Sequence, residues 1–333
     1  MSPGLIVVNP NPALDRVEVV ANFSLGQPIR VETVCLYPGG SATHAGLVAT
    51  QLGKRNVRVL APVGGVTGQQ WMRALASWGI AVEPIAIEGE TRTNVSIIDR
   101  QRGVQVECIE PGPRVTPDQV GRLVDRLARW LQPGGVVVIG GSLPPGWPIS
   151  EVGNLIDLVR ETHAMVVSDL AGSALQEAVG HASDWIKANA VEFADWAMDG
   201  ETPHLLSVWR RLRGLPLPRV NLVISLGREG TLWRRAAGET AYFAPLTDVA
   251  AFNAVGCGDA MVGALAAGLI SGQDPVEMLK TAVAAASSNL AYCEAGRVDC
   301  AVVDDLRHRV EWTWANEERE IATWMHRLGN ACD

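Results

Sequence analysis

The sequence contains no run of eighteen apolar residues, so no segment has the length and character of a membrane-spanning helix. Neither Lys nor Arg precedes the short apolar run Leu5–Val8, and that run is too brief for the core of a secretory signal. Basic residues are not in excess. Lys and Arg number 28 against 36 Asp and Glu, a formal charge of -8, which offers no footprint for a phosphate backbone and sets nucleic acid aside as a partner. Six cysteines (Cys35, Cys108, Cys257, Cys293, Cys300 and Cys332) lie far apart without a C-x-x-C pair. The reading is neither a zinc knuckle nor a disulfide framework, but a reduced, cytoplasmic protein. Phe and Tyr are scarce beside 11 Trp, and since Trp serves mainly in packing, no function follows from it.

With 333 residues, 47% of them apolar, the chain can bury one large α/β core with a small appendage. Apolar runs at Leu5–Val8, 57–61, 135–139, 164–168 and Asn221–Ser225 are mostly separated by stretches of helical length, the rhythm of βαβ units around a parallel sheet. Their nearly unbroken apolar character predicts helices on both faces, a doubly wound, mainly parallel sheet. Thr116-Pro117-Asp118 is a cap followed by proline at the first helical position, opening a helix to about Trp130. Two regions, about 15–38 and 85–110, read as β pieces without intervening helices, the second with a turn at Arg102-Gly103. The strand material there extends back to residue 81. Together they predict a small β-sheet lid standing on a main domain of residues 1–300. Residues 301–333 read as a helical extension packed on that domain.

The sharpest chemical signal is Phe252-Asn253-Ala254-Val255-Gly256-Cys257-Gly258-Asp259, which runs from a loop into an apolar, small-residue helix. Free N–H groups and the positive dipole end at such a helix start make an anion site, with phosphate its natural guest. The segment is neither a Walker A loop, since no G-K-[ST] follows, nor G-x-G-x-x-G, since Met261 stands at the third glycine. A carboxylate directly after the glycines would lie beside a transferring phosphoryl group, placed to take the proton of an incoming hydroxyl. From these residues alone, a tight turn with Asp259 as a first-turn charge reads equally well.

This segment resembles the carboxy-terminal signature of the PfkB carbohydrate kinases, relatives of ribokinase, and the resemblance runs from about Val7 to Gly296. Asn9-Pro10-Asn11-Pro12-Ala13-Leu14-Asp15 is similar to the opening motif of bacterial 1-phosphofructokinases and tagatose-6-phosphate kinases, and Gly39-Gly40-Ser41-Ala42-Thr43-His44 to the amino-terminal glycine signature. Gly141-Ser142-Leu143-Pro144-Pro145-Gly146, Lys187-Ala188-Asn189-Ala190-Val191-Glu192 and Ser225-Leu226-Gly227-Arg228-Glu229-Gly230 follow in the family's order.

The resemblance implies a ribokinase-like fold and ATP-dependent transfer of a phosphoryl group to a primary hydroxyl of a sugar phosphate. Asp259 would be the base and Gly256, Cys257 and Gly258 the anion hole. Asp15, Gly39, Gly40, His44, Arg92, Asn94, Ser142 and Arg30 would face the acceptor sugar. Lys187, Asn189, Ser225, Gly227, Gly230 and Asn289 would face the nucleotide, and Glu192 would reach Mg2+ through water. The same resemblance implies a homodimer formed through the lids.

His44 stands where the family usually offers Asn, and Ser41 where many sugar-phosphate members carry Lys. An imidazole can imitate the amide's donor and acceptor. Glu107 and Pro28 replace cations found in some fructose-6-phosphate kinases, which leaves Arg92 and Arg30 as a thin phosphate clamp. An unphosphorylated acceptor, as in ribokinases or nucleoside kinases, therefore stays open, as does a binding protein that has lost catalysis. A nicotinamide-dependent enzyme would need a glycine fingerprint after its first strand, and none is there.

Overall fold

The computed structural model describes residues 4–330. The chain opens with β1 (Leu5–Val8), leaves the body through β2 (Ala13–Val20) and β3 (Val31–Gly39), and returns as α1 (Ser41–Gln51), β4 (Val57–Val63), α2 (Gly65–Ser77) and β5 (Ala81–Ala86). It leaves once more as β6 (Arg92–Asp99) and β7 (Val104–Cys108). Regular alternation follows through α3 (Pro117–Trp130), β8 (Val136–Gly140), α4 (Ser150–Glu161), β9 (Met165–Asp169), α5 (Gly172–Gly180), β10 (Trp185–Asn189), α6 (Ala190–Ala197), α7 (Leu205–Arg213) and β11 (Asn221–Ser225). The last part comprises β12 (Thr231–Arg234), β13 (Thr240–Phe243), α8 (Cys257–Ile270), α9 (Pro275–Asn289), α10 (Cys300–Arg309), β14 (Trp312–Trp314) and α11 (Glu318–Asn330).

Among the described residues, ten strands form one sheet in the order β14-β13-β12-β11-β10-β9-β8-β1-β4-β5. Pairing is parallel from β5 to β11 and antiparallel beyond. The unbroken apolar strands have their expected cause. In β8, Val137 and Ile139 enter one core beneath α3 to α7, while Val136 and Val138 enter a second beneath α1, α2, α8 and α9. The proline at the start of α3 sits behind a full capping box between Thr116 and Gln119. No helix among the described residues is long and apolar enough to cross a membrane.

The lid is a separate four-stranded sheet, β3-β2-β6-β7. It is mixed, because β2 pairs parallel with β6 and antiparallel with β3. Its inner face (Val17, Val19, Tyr37 and Ile98) packs on Ala295, Val255 and Cys293 of the body. Two expectations need correction here. The strand 81–86 is not lid material: it pairs parallel with β4 and forms the edge of the main sheet. The tail is not wholly helical either. Trp312–Trp314 pairs with β13 as the opposite edge strand; Trp312 stacks on Phe243 and Trp314 lies tilted against Trp233. A short Trp-bearing strand without alternation offers no period to recognise.

The expectation of unpaired cysteines is also overturned for one pair, while Cys108, Cys257 and Cys300 are free. Cys35, on β3 of the lid, is bonded to Cys293, in the loop after α9, across a sequence separation of 258. The two lie far apart in the chain and meet only where lid and body touch. Replacing Cys35 by Ser should lower the melting temperature under oxidising conditions, corresponding to about 2–4 kcal/mol. Under reducing conditions parent and variant should melt alike, a difference that differential scanning calorimetry of both proteins would read.

Candidate active site

The carboxyl ends of β1, β8, β9 and β10 lie along one edge of the parallel sheet, where α/β proteins place ligands. A cavity of about 510 Å³ opens there. Its walls include Ser41, Ser142, Asp169, Lys187, Glu192 and Asp259. The first turn of α8 supplies one side of it. Gly256 caps that helix in the left-handed conformation (φ 85°), and a Cβ there would lie 2.5 Å from Ala295. Only glycine suits both the backbone and the space. No side chain caps the helix; Cys257 N–H donates to the Ala254 carbonyl at 3.4 Å, and it is Gly258 and Asp259 of the first turn that line the cavity. Burial pushes the Cys257 thiol up to about 11, leaving it protonated at neutral pH; its part in the loop is its backbone.

Helix α8 lies very close to α1, since a Cβ on Gly263 would come 2.4 Å from the Ala45 carbonyl. This close approach brings His44, on α1, to the head of α8. His44 Nδ1 donates to Asp259 Oδ2 at 2.7 Å. Nε2 faces Asp15 Oδ2 at 3.3 Å as an ion-pair contact, without the alignment of a hydrogen bond. Asp15, on β2, is held by Asn94 Nδ2, which donates to its Oδ1 at 2.8 Å. The parallel register that sets Asp15 opposite Asn94 makes that contact. Burial alone would lower the imidazole, but the Asp15 and Asp259 carboxylates outweigh it and raise His44 to about 9. Burial likewise opposes the charge on Asp259; His44, Lys187 and Ser41 reverse this and hold it below the usual carboxylate value.

A second buried pair lies at the cavity floor, Lys187 Nζ donating to Asp169 Oδ1 at 3.1 Å. Burial lifts Asp169 to about 6 against the pull of Lys187. A Cβ on Gly258 would come 2.4 Å from the Lys187 ammonium, so the bare glycine lets that cation sit under the helix start. Asn189 and Glu192 form a capping box at the head of α6, each side chain accepting from the other's backbone N–H, at 2.9 and 2.7 Å. They reach the cavity as part of a rigid helix start. Oxygen donors of this kind suit Mg2+. No three His, Cys, Asp or Glu groups beside the cavity stand within joint ligating reach among the described residues, so an ion there would draw on phosphate and water oxygens as well.

Other sequence candidates lie elsewhere. Ser225, Gly227 and Gly230 flank the carboxyl end of β11, one strand beyond β10 and outside the cavity lining. Asn289 is fully buried; its amide donates to Val255 and its oxygen accepts from Gly296, which braces the phosphate-type loop and leaves nothing to face a nucleotide. Arg92 is buried, and its terminal nitrogens donate to the carbonyls of Glu110 and Asn11, both at 2.9 Å. Its Nε has no partner. Arg30 lines a hollow formed by residues 21–30 of the lid, apart from the main cavity. Gly39 and Gly40 join β3 to α1, and the Gly39 carbonyl accepts from the buried Trp71 indole. Sequence reasoning missed Asp169 and Asn11. Asp169 ends an apolar strand, as ligand residues often do. Asn11, inside the opening motif, donates to Ser142 Oγ and the Pro111 carbonyl, tying the motif to the next loop.

The family model for "pfkB family carbohydrate kinase" matches residues 11–297. The 1-phosphofructokinase of Escherichia coli (strain K12) is 28% identical over 316 residues, 93% of this chain and 98% of that protein. Among solved structures, phosphofructokinase-2 from Escherichia coli in complex with potassium has a TM-score of 0.84 at 23% identity, covering 93% of this chain and 99% of that one. The same protein in complex with fructose-6-phosphate has a TM-score of 0.83 at 22% identity, with the same coverage. At those identities the solved structures establish a shared ribokinase-like fold.

The His44 cluster predicts a particular pH profile of stability. A histidine whose folded value is raised from 6.5 to about 9 contributes stability that is complete below 6.5 and is lost as pH rises through about 9. Each pH unit in that window should remove at most about 1.4 kcal/mol. Urea unfolding of the parent between pH 6 and 10 should show this decline, and His44→Gln should flatten it; equal slopes would contradict the ionisation described.

Proposed function

The chain belongs to the pfkB family of carbohydrate kinases, and we propose that it moves the γ-phosphoryl of ATP to a primary hydroxyl of a sugar phosphate, with Asp259 as general base. As a sugar kinase it is not a silent binding protein. One observation carries the finer reading: an ionised Asp259 stands in the first turn of α8, on the wall of the same cavity as the Lys187 ammonium, with the lid carboxylate of Asp15 across His44 from it.

Each residue has a physical part in that transfer. The amides at the head of α8 and the Lys187 ammonium offer the positive potential that phosphate oxygens need. Asp15, oriented by Asn94, accepts hydrogen bonds from sugar hydroxyls beneath the lid, and Ser142 borders the cavity that Asp259 lines. The acceptor hydroxyl gives its proton to Asp259 as its oxygen bonds to the γ-phosphorus. The bond from that phosphorus to the bridging oxygen breaks, and ADP departs. Glu192 would help hold Mg2+ through water, and the ion, when bound, would neutralise charge on the polyphosphate. Gly256 and Gly258 keep the loop free of side chains where phosphates would lie.

The acceptor class turns on Arg92. The phosphofructokinase-2 of Escherichia coli has been solved with fructose-6-phosphate, which supports acceptors of the fructose-1-phosphate, tagatose-6-phosphate or fructose-6-phosphate type. Arg92 borders a shallow hollow shared with Ser142 and Pro144 and carries one unpartnered nitrogen. An unphosphorylated acceptor is the second reading, favoured by the two backbone carbonyls that already occupy the end of the guanidinium. Homodimerisation through the lids draws support from their outer face, where Val34, Leu36, Val104 and Val106 are exposed.

Asp259→Asn keeps the shape of the loop, so calorimetric titration should find ATP-Mg2+ binding intact while kcat falls about 10²- to 10⁴-fold. Near-parental kcat would assign the base elsewhere. Arg92→Ala should raise KM for a phosphorylated acceptor by roughly tenfold or more and leave KM for ATP unchanged. Release of ADP over fructose 1-phosphate, tagatose 6-phosphate, fructose 6-phosphate, fructose and ribose would read this, and a variant equal to the parent on every phosphorylated sugar would favour the unphosphorylated acceptor.

A further inference from the structure

His44 occupies an unusual position between the two carboxylates that matter most. It belongs to α1 in the body, Asp259 to the head of α8, and Asp15 to β2 of the lid. Its side chain is 5% exposed, against 13% and 15% for Asp15 and Asp259. Two carboxylates this poorly hydrated would repel one another across a neutral ring, whereas an imidazolium donates to Asp259 and attracts Asp15. Of the remaining charges, Arg92 of β6 acts on Asp15 from a distance while its terminal nitrogens are held by the Glu110 and Asn11 carbonyls. Tyr37 of β3 lies with its ring 5.8 Å from the imidazole, and burial raises its phenol so that it stays neutral. Lys187 of β10 acts on Asp259 from the floor of the cavity, where it is already paired with Asp169. His44 is therefore the cation in contact with both Asp15 and Asp259, as Lys187 is the one paired with Asp169 at the floor.

We propose that His44 is a positioning residue for phosphoryl transfer: its imidazolium bridges the lid carboxylate Asp15 and the base Asp259, so that docking of the lid and the ionisation and aim of the base are coupled. This rests on Asp259 being the base. Both ring nitrogens are protonated in this arrangement, so His44 accepts no proton from substrate; it holds Asp259 by Nδ1–H and attracts Asp15 by Nε2–H. The direction in which the imidazole is raised agrees with the geometry. An Asn at this position, neutral and with a single NH2 group, would offer Asp259 and Asp15 no charge.

The ionisation can be tested without knowing the acceptor. The full chain, labelled with 15N at its six histidines, would be titrated by NMR. One histidine should remain doubly protonated through neutral pH and titrate near 9, and its signal should be missing from His44→Asn. Asp259→Asn and Asp15→Asn should each lower that midpoint, corresponding to about tenfold or more in proton affinity. If every histidine titrates near 6.5, or if neither carboxylate variant moves the midpoint, the bridge is refuted. The two carboxylate variants assign the signal even if His44→Asn fails to fold.

Catalysis supplies the second arm, with kcat for ATP and each sugar phosphate above measured from pH 5 to 10. In the parent it should fall as His44 deprotonates near 9. In His44→Asn that alkaline fall should vanish and the acid limb should move to higher pH. A variant that is slower by the same factor at every pH would reduce His44 to packing and overturn the coupling. An active Asp259→Asn would instead remove the base reading itself, so the two failures are distinguishable.

Discussion

Three carboxylates largely leave water here, Asp169 and Asp259 on the wall of one cavity and Asp15 of the lid across His44 from it, where an unpaired charge is expensive. The site depends on how the fold answers this. Asp169 is matched by Lys187 from the neighbouring parallel strand, and Asp15 and Asp259 are matched together by His44. The balance is incomplete: His44, Lys187 and the lid's Arg92 stand against Asp15, Asp169, Asp259 and the cavity-lining Glu192, in a site that also has to receive an anionic polyphosphate. The amides at the head of α8 and the counter-ions of the nucleotide must supply the remainder.

The pairing also explains why glycine recurs around the cavity. Gly263 lets α8 approach α1 closely enough for His44 to reach Asp259, and Gly258 leaves room for the Lys187 ammonium. Ion pairs at about 3 Å tolerate little displacement, so a methyl group at either glycine would act through distance as well as through packing. The lid is held to the body at the same place. The Cys35–Cys293 bond, the apolar patch around Tyr37 and Ala295, and the Asp15–His44 contact lie on its inner face, while its outer face presents apolar residues to the surroundings.

Much of the architecture was legible along the chain because its physical signals are local. Nearly continuous apolar strands announced a sheet covered on both faces, and Thr116-Pro117 announced the start of α3. The motif 252–259 was readable because a helix start after glycine is set by neighbouring residues. Strand 81–86 was misplaced because a half-exposed edge strand carries the same pattern as a lid strand; only its parallel pairing with β4 separates them. The strand 312–314 escaped notice because its three residues have no period.

The sequence by itself determined the doubly wound sheet, the lid excursions and the order of the loops along the sheet edge, since hydrophobic period and turn chemistry act over a few residues. Only the tertiary structure decided who partners whom. It bonded Cys35 to Cys293, spent Asn289 and most of Arg92 on backbone groups, carried Arg30 away from the cavity, and set His44 between Asp15 and Asp259. The physical reason is range. Charge, desolvation and covalent cross-linking act through space between residues as much as 258 positions apart, and nothing in the local pattern of a chain specifies which of its distant groups will meet.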